Sequence, residues 1–283
     1  MKAVGIITNL QKEETLATAE RILTLCREHD LQVFFTVECA SLLGLPELGY
    51  PVHRIPEMVD LLLVLGGDGT ILAAARKVVG TNIPILGINL GHVGFLAEVE
   101  VSDLESSMEK IVSNQFVVQD RMMLYAEVIR NSQVEASFYA LNDIVISKGP
   151  FSRTIKLKTY INNHLLEAYP GDGVIIASPT GSTGYSLSAG GPIVNPALNL
   201  LVVTPICPHM MHHRSVIIAE NEKVRIKAYT QQAEVVLTVD GQQGFQLKND
   251  DEIIVKKADY YTKLVKLTDV NFYALLHRKL RER

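Results

Sequence analysis

Residues 61–71 run Leu-Leu-Leu-Val-Leu-Gly-Gly-Asp-Gly-Thr-Ile, an unbroken apolar stretch that ends on a glycine turn carrying one carboxylate. Five consecutive apolar residues suit a strand covered on both faces, and Ile71–Val79 beyond the turn has helical apolar spacing. Strand, glycine loop and helix in that order form the local architecture of a phosphate site. Gly66, Gly67 and Gly69 permit positive φ and close approach of backbone N–H groups to an anion, at the positive end of the helix. Asp68 is out of place among phosphates. A carboxylate there repels them unless a cation bridges the two or the acid takes a proton from an attacking hydroxyl, so the loop points to phosphoryl transfer rather than nucleotide storage. As local structure alone, the same residues also read as a glycine turn with Asp68 capping the helix.

Two familiar nucleotide loops are excluded by the residues. No Lys-Ser/Thr follows, as a Walker A loop requires, and the spacing is not G-x-G-x-x-G. No acidic residue closes the next strand, Pro84–Leu90, where a dehydrogenase would hold a ribose diol. A length of 283 residues allows roughly two domains. With 47% hydrophobic and 20% charged residues, the chain can build ordinary cores without disulfide support. The net charge of −4 gives no electrostatic reason to expect nucleic acid. Cys26, Cys39 and Cys207 form an odd set without C-x-x-C spacing, which fits buried thiols in a reducing cytoplasm. The N-terminal Met1–Asn9 is too short and too polar for a signal peptide or membrane span.

Through residue 120 the chain alternates strand and helix signals: Ala3–Ile7, Glu13–Glu28, Gln32–Val37, Leu61–Leu65, Ile71–Val79, Ile83–Ile88 and Asp103–Asn114. Such alternation predicts an α/β domain with a parallel sheet. Residues 41–59, with Pro46, Gly49, Pro51 and Pro56, read as a loop. After Arg121 the texture becomes strand-like, from Leu124–Arg130 through Glu252–Lys257, so residues 121–265 read as a β-rich domain. The segment 266–283 has helical spacing and a basic outer face, and is expected to pack back on the first domain.

A second glycine-rich run, 171–192, begins Gly-Asp-Gly, continues as an apolar strand, and enters a loop of small hydroxyl residues around Tyr185. Such a loop can place amides and hydroxyls around sugar and phosphate oxygens, with the tyrosine ring over a planar base. Taken together, Gly66-Gly-Asp-Gly-Thr70, the pair Asn142-Asp143, and Ser178-Pro-Thr-Gly-Ser-Thr-Gly-Tyr-Ser-Leu-Ser-Ala-Gly-Gly-Pro192 resemble the bacterial NAD kinases, which make NADP from NAD with ATP or polyphosphate. The likeness runs from the first strand to about residue 270. It implies an N-terminal α/β domain, an all-β sandwich-like C-terminal domain, and a site in the cleft between them.

The resemblance also assigns roles, residue by residue. Asp68 matches the family's general base near the adenosine 2′-hydroxyl of NAD. Gly66, Gly67, Gly69 and Thr70 match the loop that holds the donor phosphates, with Mg²⁺ offsetting their charge, and Arg76, about a turn beyond the loop, matches an arginine placed toward them. Asn142 and Asp143 match a pair that contacts NAD, and Asp172 a ribose-binding acid. Thr183, Gly184, Tyr185, Ser186, Leu187 and Ser188 match the adenosine-contacting loop, and Arg153 and Gln242 further NAD contacts. By themselves Asn142-Asp143 also read as a strand-end turn, and Arg76 and Arg153 as surface arginines. Asp240-Gly241 is a type I′ turn signal, which makes Asp240 the shaper of a hairpin presenting Gln242. Phe95, in Gly91-His-Val-Gly-Phe-Leu96, either borders the nicotinamide or belongs to the core.

This chain departs from the family string at Ser178 and Gly184, where Thr and Ala are usual, and in Pro208-His-Met-Met-His-His-Arg214. His209, His212 and His213 lack acidic or cysteine partners nearby, so no protein-held metal is expected there. The expected partners are NAD, a phosphate donor and further copies of the chain as a homotetramer, with no nucleic acid and no membrane. A lipid or sugar kinase with the same glycine loop and a silent dinucleotide sensor stand as alternatives; the 171–192 loop argues against the first and Asp68 against the second. Donor choice, use of NADH and feedback by NADP are open at this level.

Overall fold

The computed structural model describes the chain apart from residues 92–93, 151–153, 211–213, 230–233, 269–270 and 282–283 and the side chain of Leu280. It divides into two compact units, Met1–Asp120 with Tyr261–Arg283, and Arg121–Tyr260. The first unit holds β1 (Ala3–Thr8), α1 (Thr15–Glu28), β2 (Gln32–Thr36), α2 (Val37–Leu42), β3 (Gly49–Tyr50), β4 (Leu61–Leu65), α3 (Asp68–Lys77), β5 (Ile85–Asn89), β6 (Val99–Glu100) and α4 (Leu104–Val112). β7 (Val117–Arg130) leads into the second unit, which contains β8 (Gln133–Ala140), β9 (Asp143–Lys148), β10 (Ile155–Ile161), β11 (His164–Gly171), β12 (Gly173–Ala177), α5 (Tyr185–Ser188), β13 (Leu200–Ile206), β14 (Val216–Ala219), β15 (Val224–Tyr229), β16 (Val235–Val239) and β17 (Gln243–Leu247). The chain returns through β18 (Glu252–Lys266) and ends in α6 (Phe272–Arg281).

In the first unit β3, β2, β1, β4 and β5 lie side by side and parallel, and Leu264 of β18 pairs in parallel with Ile85. β4 is an inner strand between β1 and β5, and all five of its residues are fully buried, as an apolar strand with covered faces must be. Leu61, Leu63 and Leu65 share one core with α1 residues Ile22 and Cys26 and α4 residues Met108 and Ile111. Against β5, a Cβ at Gly87 would fall 2.4 Å from Ile71 Cδ1, so glycine there lets α3 close onto the sheet.

Several element bounds differ from the sequence reading. α3 begins at Asp68 rather than Ile71, because Asp-Gly-Thr adds no apolar period although its backbone is helical. The stretch read as a loop carries the end of α2, the short turns Pro46–Leu48 and Ile55–Glu57, and β3. At the C-terminus Leu267 packs against the first unit's core, whereas Phe272, Leu275 and Leu276 on α6 are half-buried or exposed.

The second unit is built from antiparallel pairs. One sheet runs β14, β13, β12, β9, β16, β17, and β10 pairs with β11 on one side and β15 on the other. β12 is buried along its length between β9 and β13. Gly173 makes this possible: a Cβ would meet the Ile146 carbonyl at 2.4 Å. The apolar run near residue 200 is β13, and its Leu201, Val202 and Val203 are buried within the chain. The core of this unit accounts for the apolar character of the run, and Leu198 is exposed beside it.

Candidate active site

The candidate residues fall into two groups, one in each unit. In the first, the strand ladder extends past β4, since the Gly66 N–H donates to the Ile88 carbonyl at 2.9 Å. Gly66 then adopts φ +156°, and a Cβ on it would land 2.2 Å from Thr70 Oγ1. The chain turns directly into α3, with Gly67 as N-cap and its carbonyl accepting from the Thr70 N–H at 2.9 Å. The positive end of α3 thus faces the mouth of the glycine loop, where Gly69 is exposed and Thr70 half-buried.

Asp68 does not cap the helix. Its half-buried carboxylate instead accepts the Phe95 N–H at 2.8 Å and the Leu96 N–H at 3.1 Å. Gly94 is what lets the two segments meet, because a Cβ there would sit 1.9 Å from Asp68 Oδ1. Sequence reasoning treated Gly91–Leu96 as a separate motif and weighed the Phe95 ring; the backbone of Phe95 is what touches Asp68. Arg76 lies in the last turn of α3, six residues beyond Thr70 at the end of the glycine loop and so about 9 Å along the helix axis.

In the second unit Asn142 and Asp143 open β9 and border a pocket of about 260 Å³ with Ser147, Tyr185, Thr238 and Gly241. Asp143 is 4% exposed, and burial first, with the charge of Asp240 second, pushes its carboxyl up to about 7. The turn before β9 is gripped from two sides. Ser178 donates its N–H to the Asn142 carbonyl at 2.9 Å and its hydroxyl to the Leu141 carbonyl at 2.5 Å. A Cβ at Gly181 would strike the Asn142 carbonyl oxygen at 2.1 Å.

On the other side stands Asp240. It takes φ +48° and Gly241 φ +66°, and the Gln242 N–H donates to the Val239 carbonyl at 2.9 Å, which is the expected hairpin turn with Gln242 exposed on it. Its carboxylate does more than shape the hairpin. It accepts the N–H groups of Leu141, Asn142 and Asp143 at 3.2, 2.8 and 3.1 Å.

The hydroxyls of the 178–188 loop mostly turn inward. Ser182 is buried, donating to the Pro179 carbonyl and accepting from the Val194 N–H. The Thr183 hydroxyl donates to the Thr180 carbonyl, and buried Ser186 joins Thr204, which donates to Ser215. What the loop leaves open is Tyr185, 48% exposed, with Gly184 and Leu187 half-buried and Ser188 exposed. Burial raises the Tyr185 phenol, with smaller contributions from Cys207, Asp172 and Asp143. Asp172 is half-exposed and pairs with Lys148 Nζ at 2.9 Å, a partner the sequence did not suggest. Arg153, His212 and His213 lie outside the described residues. His209 is exposed, and among the described residues no three His, Cys, Asp or Glu side chains gather as a cation site.

Comparison with known proteins covers nearly the whole chain. Residues 4–116 match the ATP-NAD kinase N-terminal domain model and residues 141–267 the ATP-NAD kinase C-terminal domain model. An NAD kinase of Natranaerobius thermophilus is 50% identical over 280 residues, covering 99% of this chain and 98% of that one. One from Caldanaerobacter subterraneus is 41% identical over the full length of both. Among solved structures, yeast NADH kinase complexed with NADH matches with a TM-score of 0.92 at 26% identity, covering 99% of this chain and 88% of that one. The fold of an Archaeoglobus fulgidus NAD kinase in complex with ATP matches with a TM-score of 0.80 at 23% identity, covering 99% of both chains.

Proposed function

The chain belongs to the NAD kinase family, and from that premise we propose how its own residues divide the reaction. Asp68 takes the proton of the adenosine 2′-hydroxyl of NAD as that oxygen attacks the terminal phosphorus of the donor. The new P–O bond forms at the ribose oxygen, the bond to the departing phosphate chain breaks, and the proton leaves with Asp68. Gly66, Gly67, Gly69 and Thr70 hold the donor phosphates at the positive end of α3. The observation that carries this reading is the carboxylate itself, set in the first turn of α3 and aimed by two backbone amides rather than used as a cap.

The donor is ATP, with polyphosphate as the further candidate, because loop amides read phosphate oxygens and not a base. NADP formation measured with ATP, with polyphosphate and with no donor, side by side, tests this; no NADP from either donor would overturn the reading. Mg²⁺ fits as a companion of the donor. A hard cation of this kind is held by one or two carboxylates and the substrate phosphates, and Asp68 is the carboxylate the loop offers. When bound, it would offset the phosphate charge.

NAD recognition falls to the second unit, through Asn142, Asp143, Asp172, Gln242, Arg153 and the Thr183–Ser188 loop. Within that loop Tyr185 offers its ring, and the buried Thr183 and Ser186 brace the loop from within through their hydroxyls. Asp172→Ala is expected to raise KM for NAD about tenfold, since a hydrogen bond to a charged acceptor is worth roughly 1.5–3 kcal/mol and Asp172 is only partly shielded from water. The turnover number should change less than the KM. Steady-state kinetics decide it, and an unchanged KM removes Asp172 from the site.

A cytoplasmic homotetramer belongs to the same reading. Cys26, Cys39 and Cys207 are all free thiols, the first two buried as expected and Cys207 exposed against that expectation, and a reducing compartment maintains such thiols. β11, β14 and β17 end their rows of paired strands, and Leu165, Leu166 and Ile217 are exposed on two of them. Open edges of that kind need cover. Light scattering at micromolar concentration should give four times the mass of one chain, and a monodisperse single-chain mass with full activity would rule the tetramer out.

A further inference from the structure

Asp143 and Asp240 are two buried acids of opposite habit. Asp240, 8% exposed, accepts three backbone N–H groups with its carboxylate, and its own N–H returns a bond to the Asp143 carbonyl at 3.0 Å. Asp143, 4% exposed, receives no side-chain hydrogen bond from any described residue and turns into the 260 Å³ pocket. A buried carboxylate with no donor, beside a fixed carboxylate, is far costlier than a buried neutral acid.

We propose that Asp240 is a positioning residue for NAD recognition: its carboxylate clamps the backbone of Leu141–Asp143 and stands beside the buried Asp143 carboxyl, so that Asn142 and Asp143 meet the ligand as a neutral amide and a neutral acid. This rests on the function proposed above. Each of the two side chains then offers one donor and one acceptor to ribose hydroxyls or a base edge, without adding a charge that the anionic pyrophosphate of NAD would oppose. The other ionisable groups around the pocket fit this state. Tyr185, from α5, keeps its phenol protonated by burial. Asp172, between β11 and β12, is neutralised by Lys148 of β9, and Cys207 lies beyond Tyr185 after β13. Burial first, and Asp240 on the β16–β17 turn second, together place the proton loss of Asp143 at about pH 7.

The consequence is a sign. If the neutral acid binds NAD, KM must rise as pH climbs through the titration of Asp143, by about tenfold for each pH unit above it. The test uses the full chain with aspartate side-chain carboxyls labelled with carbon-13, followed by NMR from pH 3.5 to 8.5, together with NAD kinetics from pH 6 to 8.5. The resonance missing from Asp143→Asn should titrate near pH 7 in the wild type and at least half a pH unit lower in Asp240→Asn. In kinetics, the wild-type KM for NAD should rise about tenfold or more across the range, Asp143→Asn should be flat, and Asp240→Asn should start its rise at lower pH. A clamp that only braced the backbone would raise KM in Asp240→Asn with the pH profile unmoved, and that result overturns the proposal. So does a wild-type Asp143 resonance that titrates near pH 4, a reading that needs no variant of Asp240 to fold. If the chain makes no NADP, the NMR titration still decides the coupling of the two acids, so the failure of the function and the failure of the coupling are told apart.

Discussion

Asp68→Asn should lower kcat by about 10²–10⁴-fold, the usual range for loss of a general base, while the dissociation constant for NAD stays within about threefold of wild type. The amide preserves the shape of the carboxyl group but has no lone pair basic enough to take the hydroxyl proton. The structure adds a second effect that has to be separated from the first. Both carboxylate oxygens of Asp68 accept backbone N–H groups, from Phe95 and Leu96. An asparagine can accept with one oxygen only, and its NH₂ faces the other N–H, so roughly 1 kcal/mol of local stability should go with the substitution. Thermal unfolding measures that part. Turnover near the wild-type level would remove Asp68 from the chemistry and leave it as the clasp between α3 and the 94–96 segment.

Gly94→Ala approaches the same carboxylate from the opposite side. Its new methyl group would start 1.9 Å from Asp68 Oδ1, and the atom in its way is the end of a side chain rather than backbone. The carboxylate therefore yields first, swinging away and losing its two amide donors, while the rest of the first unit keeps its packing. A displacement of about 1 Å of a catalytic group costs on the order of 10²-fold in rate. We expect kcat to fall by about that factor with little change in NAD affinity, measured by steady-state kinetics and calorimetry. A wild-type kcat in Gly94→Ala would mean that the amide-held position of Asp68 is not its working position. The two variants together distinguish loss of the base from loss of its aim.

The parts of this molecule that were legible in the sequence are those where one local pattern decides the outcome. Leu61–Leu65 reads as a buried strand because five apolar residues in a row leave no solvent face, and all five are fully buried. The α/β to antiparallel-β change follows from the same kind of evidence, and the two glycine-rich runs with the Asn142-Asp143 pair carried the family. The exact start of α3 was not legible, since Asp68, Gly69 and Thr70 are poor helix formers placed there by the turn. β11 carries no strand signal of its own. His-Leu-Leu-Glu-Ala-Tyr-Pro-Gly lacks a clean alternation, and as the last strand of its row it tolerates Pro170 and exposed Leu165. Of the candidate site, the residue types could be read but their partners could not. Asp68 meets amides 27 and 28 positions away, Asp240 meets amides nearly a hundred away, and Asp172 faces Lys148 from another strand. No periodicity encodes such pairings. The hydroxyl-rich loop misled in a different way, because serines that look ready for a ligand are bound to the protein itself, Ser178 to Leu141, Ser182 to Pro179 and Ser186 to Thr204.

That inward turning has a consequence for how a ligand would be taken up. With Ser178 bonded to Leu141, Ser182 bridging Pro179 and Val194, and Ser186 joined through Thr204 to Ser215, the loop's rotors and backbone are immobilised when the chain folds rather than when a nucleotide arrives. Ordering each rotamer-rich side chain at an interface costs roughly 0.5–1.5 kcal/mol, and here that loss of disorder belongs to folding. In the function proposed above, association would freeze the tumbling and internal rotations of the nucleotide together with exposed side chains such as Tyr185 and Gln242. Encounter would then be docking onto a largely finished template, with selectivity among dinucleotides set by its shape.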